Sequence, residues 1–179
     1  MLHKGTVQLE TERLILRKFN ANDISSMFHN WASNGNVTKY LTWPAHTSID
    51  TTRSIVEEWV SRYSETDFYQ WAIELKAIGQ PIGSISVVRI KESVCECEIG
   101  YCIGEQWWKQ GITTEAFRRV IKYLLEEVCV NRISAKHDTN NPYSGKVMLK
   151  CGLQYEGTLR KAGKNSNGIC DLAVYATVK

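Results

Sequence analysis

Several features are scarce in this chain of 179 residues. Only three prolines occur, Pro44, Pro81 and Pro142, and each reads as a connection or the start of an element. No internal repeat, low-complexity tract or linker divides the sequence, so one domain over residues 1–179 is expected. No uninterrupted apolar run approaches the roughly 20 residues of a membrane span. The opening "MLHKGTVQLETERLILRKF" lacks the apolar centre of a secretory signal, so a cytoplasmic protein with no membrane partner is expected. The six cysteines, Cys95, Cys97, Cys102, Cys129, Cys151 and Cys170, include no C-x-x-C pair. That spacing argues against a zinc ribbon or a dithiol redox motif, and leaves reduced thiols and no metal as the expectation. Lys+Arg 22 against Asp+Glu 19 gives a net charge of only +3, with no basic run. A nucleic-acid partner normally needs a stronger basic stripe. The composition is compatible with a monomer or a homodimer.

Hydrophobic periodicity supplies the rest of the outline. "RLILRKF" (13–19) alternates as a strand, and "NANDISSMFHNWAS" places Ile24, Met27, Phe28 and Trp31 on one helical stripe. "TSIDTTRSIVEEWVSRY" repeats the helical pattern through Ile55, Val56, Trp59, Val60 and Tyr63, with Thr47 or Ser48 as its cap. The period then falls to two. "YQWAIELKA" alternates with Gln70, Glu74 and Lys76 on its polar face, and "SISVVRI" and "ECEIGYCIG" follow as the next strands of an antiparallel meander. A helix buries Phe117, Val120, Ile121, Leu124 and Val128; "RISAKHD" is a strand; "NPYSGKVMLKCG" is a short helix stopped by Gly152. "LQYEGTLRKAG" and "CDLAVYATVK" are two final strands around the turn "KNSNG". The order β-α-α-β-β-β-α-β-α-β-β predicts an α/β (α+β) domain, a mixed and mostly antiparallel sheet flanked by helices.

The entrance to the long helix, "EQWWKQGITTEAF", is unusual. A helix N-terminus offers unpaired N–H groups and about half a positive charge, which together suit phosphate. Gly111 removes bulk from the approach, Thr113 and Thr114 keep the first turn small, and Lys109 adds charge. Residues 109–114 are therefore a candidate pyrophosphate cradle. A tight strand-to-helix turn capped by threonine would read the same way.

Three stretches together resemble the GNAT superfamily of acetyl-CoA-dependent N-acetyltransferases, and within it the ribosomal-protein-alanine acetyltransferase branch of RimJ/RimL type. They are "LETERLILRKFNANDI", "IGYCIGEQWWKQGITTEA" and "NPYSGKVMLKCGLQYEG", in the branch's own order. Trp108, Lys109 and Thr113 stand where the superfamily signature has Arg or Gln, Gly, and Gly or Ala. The resemblance implies a GNAT fold, acetyl-CoA as cosubstrate and a primary amine as acceptor. It implies that Tyr101, Cys102 and Ile103 pair with the pantetheine arm through main chain. It also implies that Trp108, Lys109, Gln110, Gly111, Ile112, Thr113 and Thr114 surround the pyrophosphate. By the same resemblance Asn141 holds the arm and Ser144 protonates or hydrogen-bonds the leaving thiolate, although capping of the short helix would use the same "NPYS".

Aminolysis of a thioester needs a proton taken from the amine. Glu98, three residues before Tyr101 on the cofactor strand, is the first candidate base; a surface strand glutamate is the alternative. Glu156 reads as structural or acceptor-positioning, and His137 as structural. The resemblance places the acceptor among the first helices and "YLTWPAHTS", where Trp31, Tyr40 and Trp43 are either lining or core. A free α-amine (pKa about 8) needs less help than a lysine (about 10.4). A protein or peptide N-terminus, such as a ribosomal protein's, is thus the first expectation. A polyamine, toxin or antibiotic is the second, and a CoA-binding module without turnover the third.

Overall fold

The computed structural model describes residues 1–179. Its strands are β1 (Leu9–Glu10), β2 (Leu14–Arg17), β3 (Gln70–Leu75), β4 (Gln80–Lys91), β5 (Glu96–Ile103), β6 (Arg132–Asp138), β7 (Gln154–Asn165) and β8 (Gly168–Val178). The helices are α1 (Asp23–Met27), α2 (Gly35–Thr38), α3 (Ile49–Arg62), α4 (Ile112–Glu126) and α5 (Pro142–Lys150). The predicted order is recovered with two additions, the two-residue β1 and the four-residue α2, both too short to show a period. The strand expected over 13–19 is only Leu14–Arg17. The helix expected after it is α1 followed by a π-turn over Phe28–Ala32.

All eight strands form one sheet in the order β1-β2-β3-β4-β5-β6-β8-β7. Every neighbouring pair is antiparallel except β5 with β6, which are joined through α4 as a parallel crossover. Apolar residues cover both faces. On one face α4 buries Phe117, Val120 and Leu124 against Leu16, Trp71, Ile85 and Ile99. On the other, Trp31, Met27 and Val56 of the first helices pack with Phe19 and Ala72. Burial on both faces explains one misread position: Gln70, expected to face solvent, is buried at the start of β3. On α3 the exposed Val60 falls outside the stripe and Thr52 is buried instead, while Ser48 caps the helix by accepting from the Asp50 amide. No helix is long and apolar enough to cross a membrane.

Candidate active site

The sheet comes apart at its parallel seam. β5 and β6 pair from Glu96–Arg132 to Ile99–Ala135 and no further, while β5 continues beside β4 to Ile103 and β6 continues beside β8 to Asp138. Gly104 donates to Ile82 O at 2.8 Å, so the even-numbered residues of this part of β5 bond to β4. By the alternation of an antiparallel ladder, the main-chain groups of Tyr101 and Ile103 point into the gap. The Ile103 carbonyl there accepts the indole N–H of Trp108 at 2.9 Å. Trp108 thus does polar work of its own in the position where the superfamily carries Arg or Gln. Cys102 faces the other way, its sulfur 3.4 Å from Ser84 Oγ, and burial pushes its thiol pKa up. That thiol stays protonated and unreactive at neutral pH.

Past the gap, residues 105–107 make one 3-10 turn and the chain enters α4. The amides of Lys109, Gln110, Gly111, Ile112, Thr113 and Thr114 find no acceptor within the chain, and the first paired amide of the helix is Glu115, which donates to Gly111 O. Gly111 has φ 76°, and a Cβ there would point towards Arg13 Nη2 at 3.7 Å. Lys109 has φ 62°, the left-handed region that glycine favours. The loop therefore keeps the glycine-type bend even though a lysine supplies it. A row of unpaired amides at the positive end of a 15-residue helix is a fitting receptor for a diphosphate. Beside it a groove of about 630 Å³ with no hydrophobic residue in its lining runs past Gly111 and Thr114 to Arg118, Arg119, Lys122 and Lys150.

The cradle is held from below by the turn between β1 and β2. Thr11 Oγ1 and the Arg13 amide donate to Glu115 Oε1 at 2.6 and 3.0 Å, and Arg13 Nε donates to Glu115 Oε2 at 2.7 Å. Arg13 Nη1 also donates to Gln110 O at 3.0 Å. Burial opposes the Glu115 charge, but these donors outweigh it and hold the carboxyl below its ordinary range. Neither Arg13 nor Glu115 was singled out by sequence reasoning. Their separation in the chain hides the pair, although "TERL" and "TTEA" both lie within the stretches that carry the resemblance.

α5 closes the far side of the gap. Pro142 sits at its first turn, and Asn141 takes the N-cap position without using its side chain as a cap. The Asn141 carboxamide is thereby left free for a ligand. Ser144 lies one turn in, where its Oγ is 3.0 Å from the Tyr101 hydroxyl, and Tyr101 Oη also donates to Ser144 O at 3.0 Å. Burial raises the Tyr101 hydroxyl above the ordinary phenol range, with the Ser144 hydrogen bond pulling the other way. Sequence reasoning gave Tyr101 a main-chain role alone and missed this side-chain bond.

Glu98 lies on β5 just before the gap, with its carboxylate 2.9 Å from both Lys136 Nζ and Arg89 Nη2. Glu156 pairs with Arg132 on the same sheet and holds β7 to β6. His137 is buried, donates through Nδ1 to Asp138 O at 2.8 Å, stacks on Tyr175, and has no partner at Nε2. Gly145 of α5 sits over that nitrogen, where a Cβ would come within 2.6 Å. Trp31 is core. Tyr40 lines a pocket of about 360 Å³ with Lys39, Asp138, Asn140, Asn165 and Asn167. Asn167 and Ser166 of the β7–β8 turn tie that pocket to α2 and the loop after it, by donating to Lys39 O and Thr38 O.

The acetyltransferase (GNAT) domain model matches residues 13–154. Among relatives, the uncharacterized N-acetyltransferase YoaA of Bacillus subtilis (strain 168) is 32% identical over 171 residues, covering 96% of each chain. The ribosomal-protein-serine acetyltransferase of Escherichia coli (strain K12) is 32% identical over 97 residues, covering 54% of each. Among solved structures, the microcin C7 self immunity acetyltransferase MccE, determined with acetyl-CoA and AMP, superposes with a TM-score of 0.86 at 23% identity, covering 94% of both chains. A sheet split at one parallel seam, free amides at the mouth of the helix behind it, and a match over residues 13–154 lead to one conclusion: this chain belongs to the GNAT family and is an acetyl-CoA-dependent N-acetyltransferase.

Proposed function

We propose that the acceptor is the α-amine of a protein or peptide N-terminus. One observation carries this reading: Glu98, the first candidate base, is engaged by two cations, Arg89 and Lys136. A carboxylate held on both sides in this way is not free to turn towards an amine in the gap. The amine must then arrive largely neutral, and roughly a tenth of a typical α-amine is neutral at pH 7 against well under a hundredth of a lysine. The similarity to a ribosomal-protein-serine acetyltransferase points the same way. In this reading acetyl-CoA supplies the activated acyl group. The amides of residues 109–114 hold its diphosphate, and the open edge at Tyr101 and Ile103, with Asn141, holds its arm. Ser144 offers a hydrogen bond to the sulfur that leaves. The pocket beside Tyr40 receives the acceptor. Rate then comes mainly from holding amine and thioester in line.

The test is a thiol-release screen of acceptors at neutral pH. Short peptides with free N-termini should turn over, and the same peptides with blocked N-termini and a free lysine should not. Faster turnover of a polyamine or aminoglycoside would replace this reading with the small-amine one. Binding of acetyl-CoA with no acceptor turned over would leave a CoA-binding module. Glu98→Gln should cost less than about tenfold in turnover, below the 10²–10⁴-fold span of a general base. A larger loss that higher pH rescues would restore Glu98 as the base.

A further inference from the structure

We propose that Tyr101 is a positioning residue for the reaction, its hydroxyl setting the direction in which Ser144 presents its proton. This rests on the Ser144 reading above and extends it to a side chain that nothing else assigns.

The geometry is specific. Tyr101 Oη has one hydrogen and faces two acceptors at the same distance, Ser144 O and Ser144 Oγ, each at 3.0 Å. Ser144 also has one hydroxyl hydrogen. Two arrangements satisfy the pair. In the first, Tyr101 donates to the Ser144 carbonyl and the Ser144 hydroxyl donates to Tyr101. In the second, Tyr101 turns its hydrogen to Ser144 Oγ, which frees the serine hydrogen for a partner outside the pair. As the C–S bond breaks, its electron pair stays on sulfur. A developing negative charge within reach of Ser144 selects the second arrangement. Two small rotations then put two hydroxyls in series behind that charge. No proton leaves Tyr101, which suits a half-buried phenol.

The surroundings keep this switch in place. The Tyr101 ring packs on Phe117 of α4 at 5.4 Å between centroids, so β5, α4 and α5 together fix the hydroxyl. A serine in a first helical turn otherwise turns its hydroxyl to a carbonyl of the preceding residues. Tyr101 occupies the competing site and holds the Ser144 hydroxyl toward β5. Stabilisation built before the charge appears lowers the barrier without reorganisation at the moment of reaction.

The test uses Tyr101→Phe, Ser144→Ala and the double variant. Phenylalanine keeps the ring on Phe117 and leaves the main chain of β5 unchanged. The first readout is the thiol pKa of bound CoA, followed by thiolate ultraviolet absorbance across pH, and it needs no acceptor. Both single variants should raise it, and the double variant should raise it no further. The second readout is turnover. Tyr101→Phe should lower kcat about tenfold, the factor that follows from losing one ordinary hydrogen bond, with KM for acetyl-CoA within about twofold. Tyr101→Ser should restore neither readout, since the shorter side chain cannot span the distance. If Ser144→Ala leaves both readouts at wild-type values, the Ser144 role itself fails. If Ser144→Ala moves them and Tyr101→Phe does not, or if the two effects add in the double variant, Tyr101 does not act through Ser144 and the proposal is overturned.

Discussion

The β2–β3 side of the sheet and the split between β5 and β6 treat polar groups in opposite ways. On the first side the charged groups are paired within the chain. Arg17 reaches across two strands and a helix, donating to both oxygens of Asp23 at 2.7 and 2.8 Å and to Glu74 at 2.5 Å. Asp23 accepts the Asn20 amide as well, which turns the chain into α1. In the split, by contrast, the strand edge pairs with no neighbouring strand beyond Ile99 and meets only the Trp108 indole at Ile103, while the amides of 109–114 and the Asn141 carboxamide are left without partners in the chain. One region spends its polar groups on its own stability; the other holds them ready for a ligand. The lesson is that unsatisfied polarity, more than pocket depth, marks the working end of this fold.

The comparison breaks if stability and ligand affinity move together. Asp23→Ala is the largest effect expected. It strips the main partner from a half-buried guanidinium and should cost about 3–5 kcal/mol in urea denaturation, while the folded fraction binds acetyl-CoA as before. Gly111→Asp should do the reverse. A carboxylate among the free amides repels the diphosphate, so calorimetric affinity for CoA should fall at least about tenfold, roughly 1.4 kcal/mol, with the fold retained. Normal CoA binding by this variant would move the diphosphate away from residues 109–114.

Glu115 joins the two regimes, and acid sharpens the contrast. Its folded pKa lies below the ordinary 4.5. The stabilisation is therefore full above that value and lost as pH falls through the depressed one. Glu115→Gln should flatten the acid limb of the stability curve below about pH 4.5, and loosen the cradle through Arg13. An unchanged acid limb would show that Thr11 and Arg13 do not depend on that charge. The smallest effect belongs to Lys109→Gly. Release of a left-handed lysine stabilises by up to about 1 kcal/mol, offset in part by glycine's freedom in the unfolded chain. CoA affinity should change little, because the amides keep their places.

Local chemistry was legible in the sequence and distant pairing was not. β6 appears where "RISAKHD" placed it, Ser48 caps α3, and Gly152 ends α5 with φ 89°. Each of these is written within a few residues. The missed features depend on what lies across the fold. Gln70 is buried because both sheet faces are covered, and α1 gives way to a π-turn where Asn30 reaches Pro81 O. At the site, the strand, the helix entrance and the short helix were each visible as segments. The Tyr101–Ser144 and Arg13–Glu115 bonds were not, since they join residues that only the finished sheet brings together.

Arg13 has one more consequence, which concerns the order of assembly. It ties the turn that leads into β2 to Gln110 and Glu115 across sequence separations of 97 and 102 residues. Closing a loop of that length must precede any reward from the contact, and such contacts form slowly and late in folding. The cradle proposed for the diphosphate therefore has no early, locally folded version. A chain that has made α4 without docking β2 holds the helix and its free amides but not the clamp that aims them. The cosubstrate should then bind only after the long-range topology is complete. Refolding in its presence should leave the folding rate unchanged and slow only the unfolding rate, as for any ligand that recognises the finished fold alone.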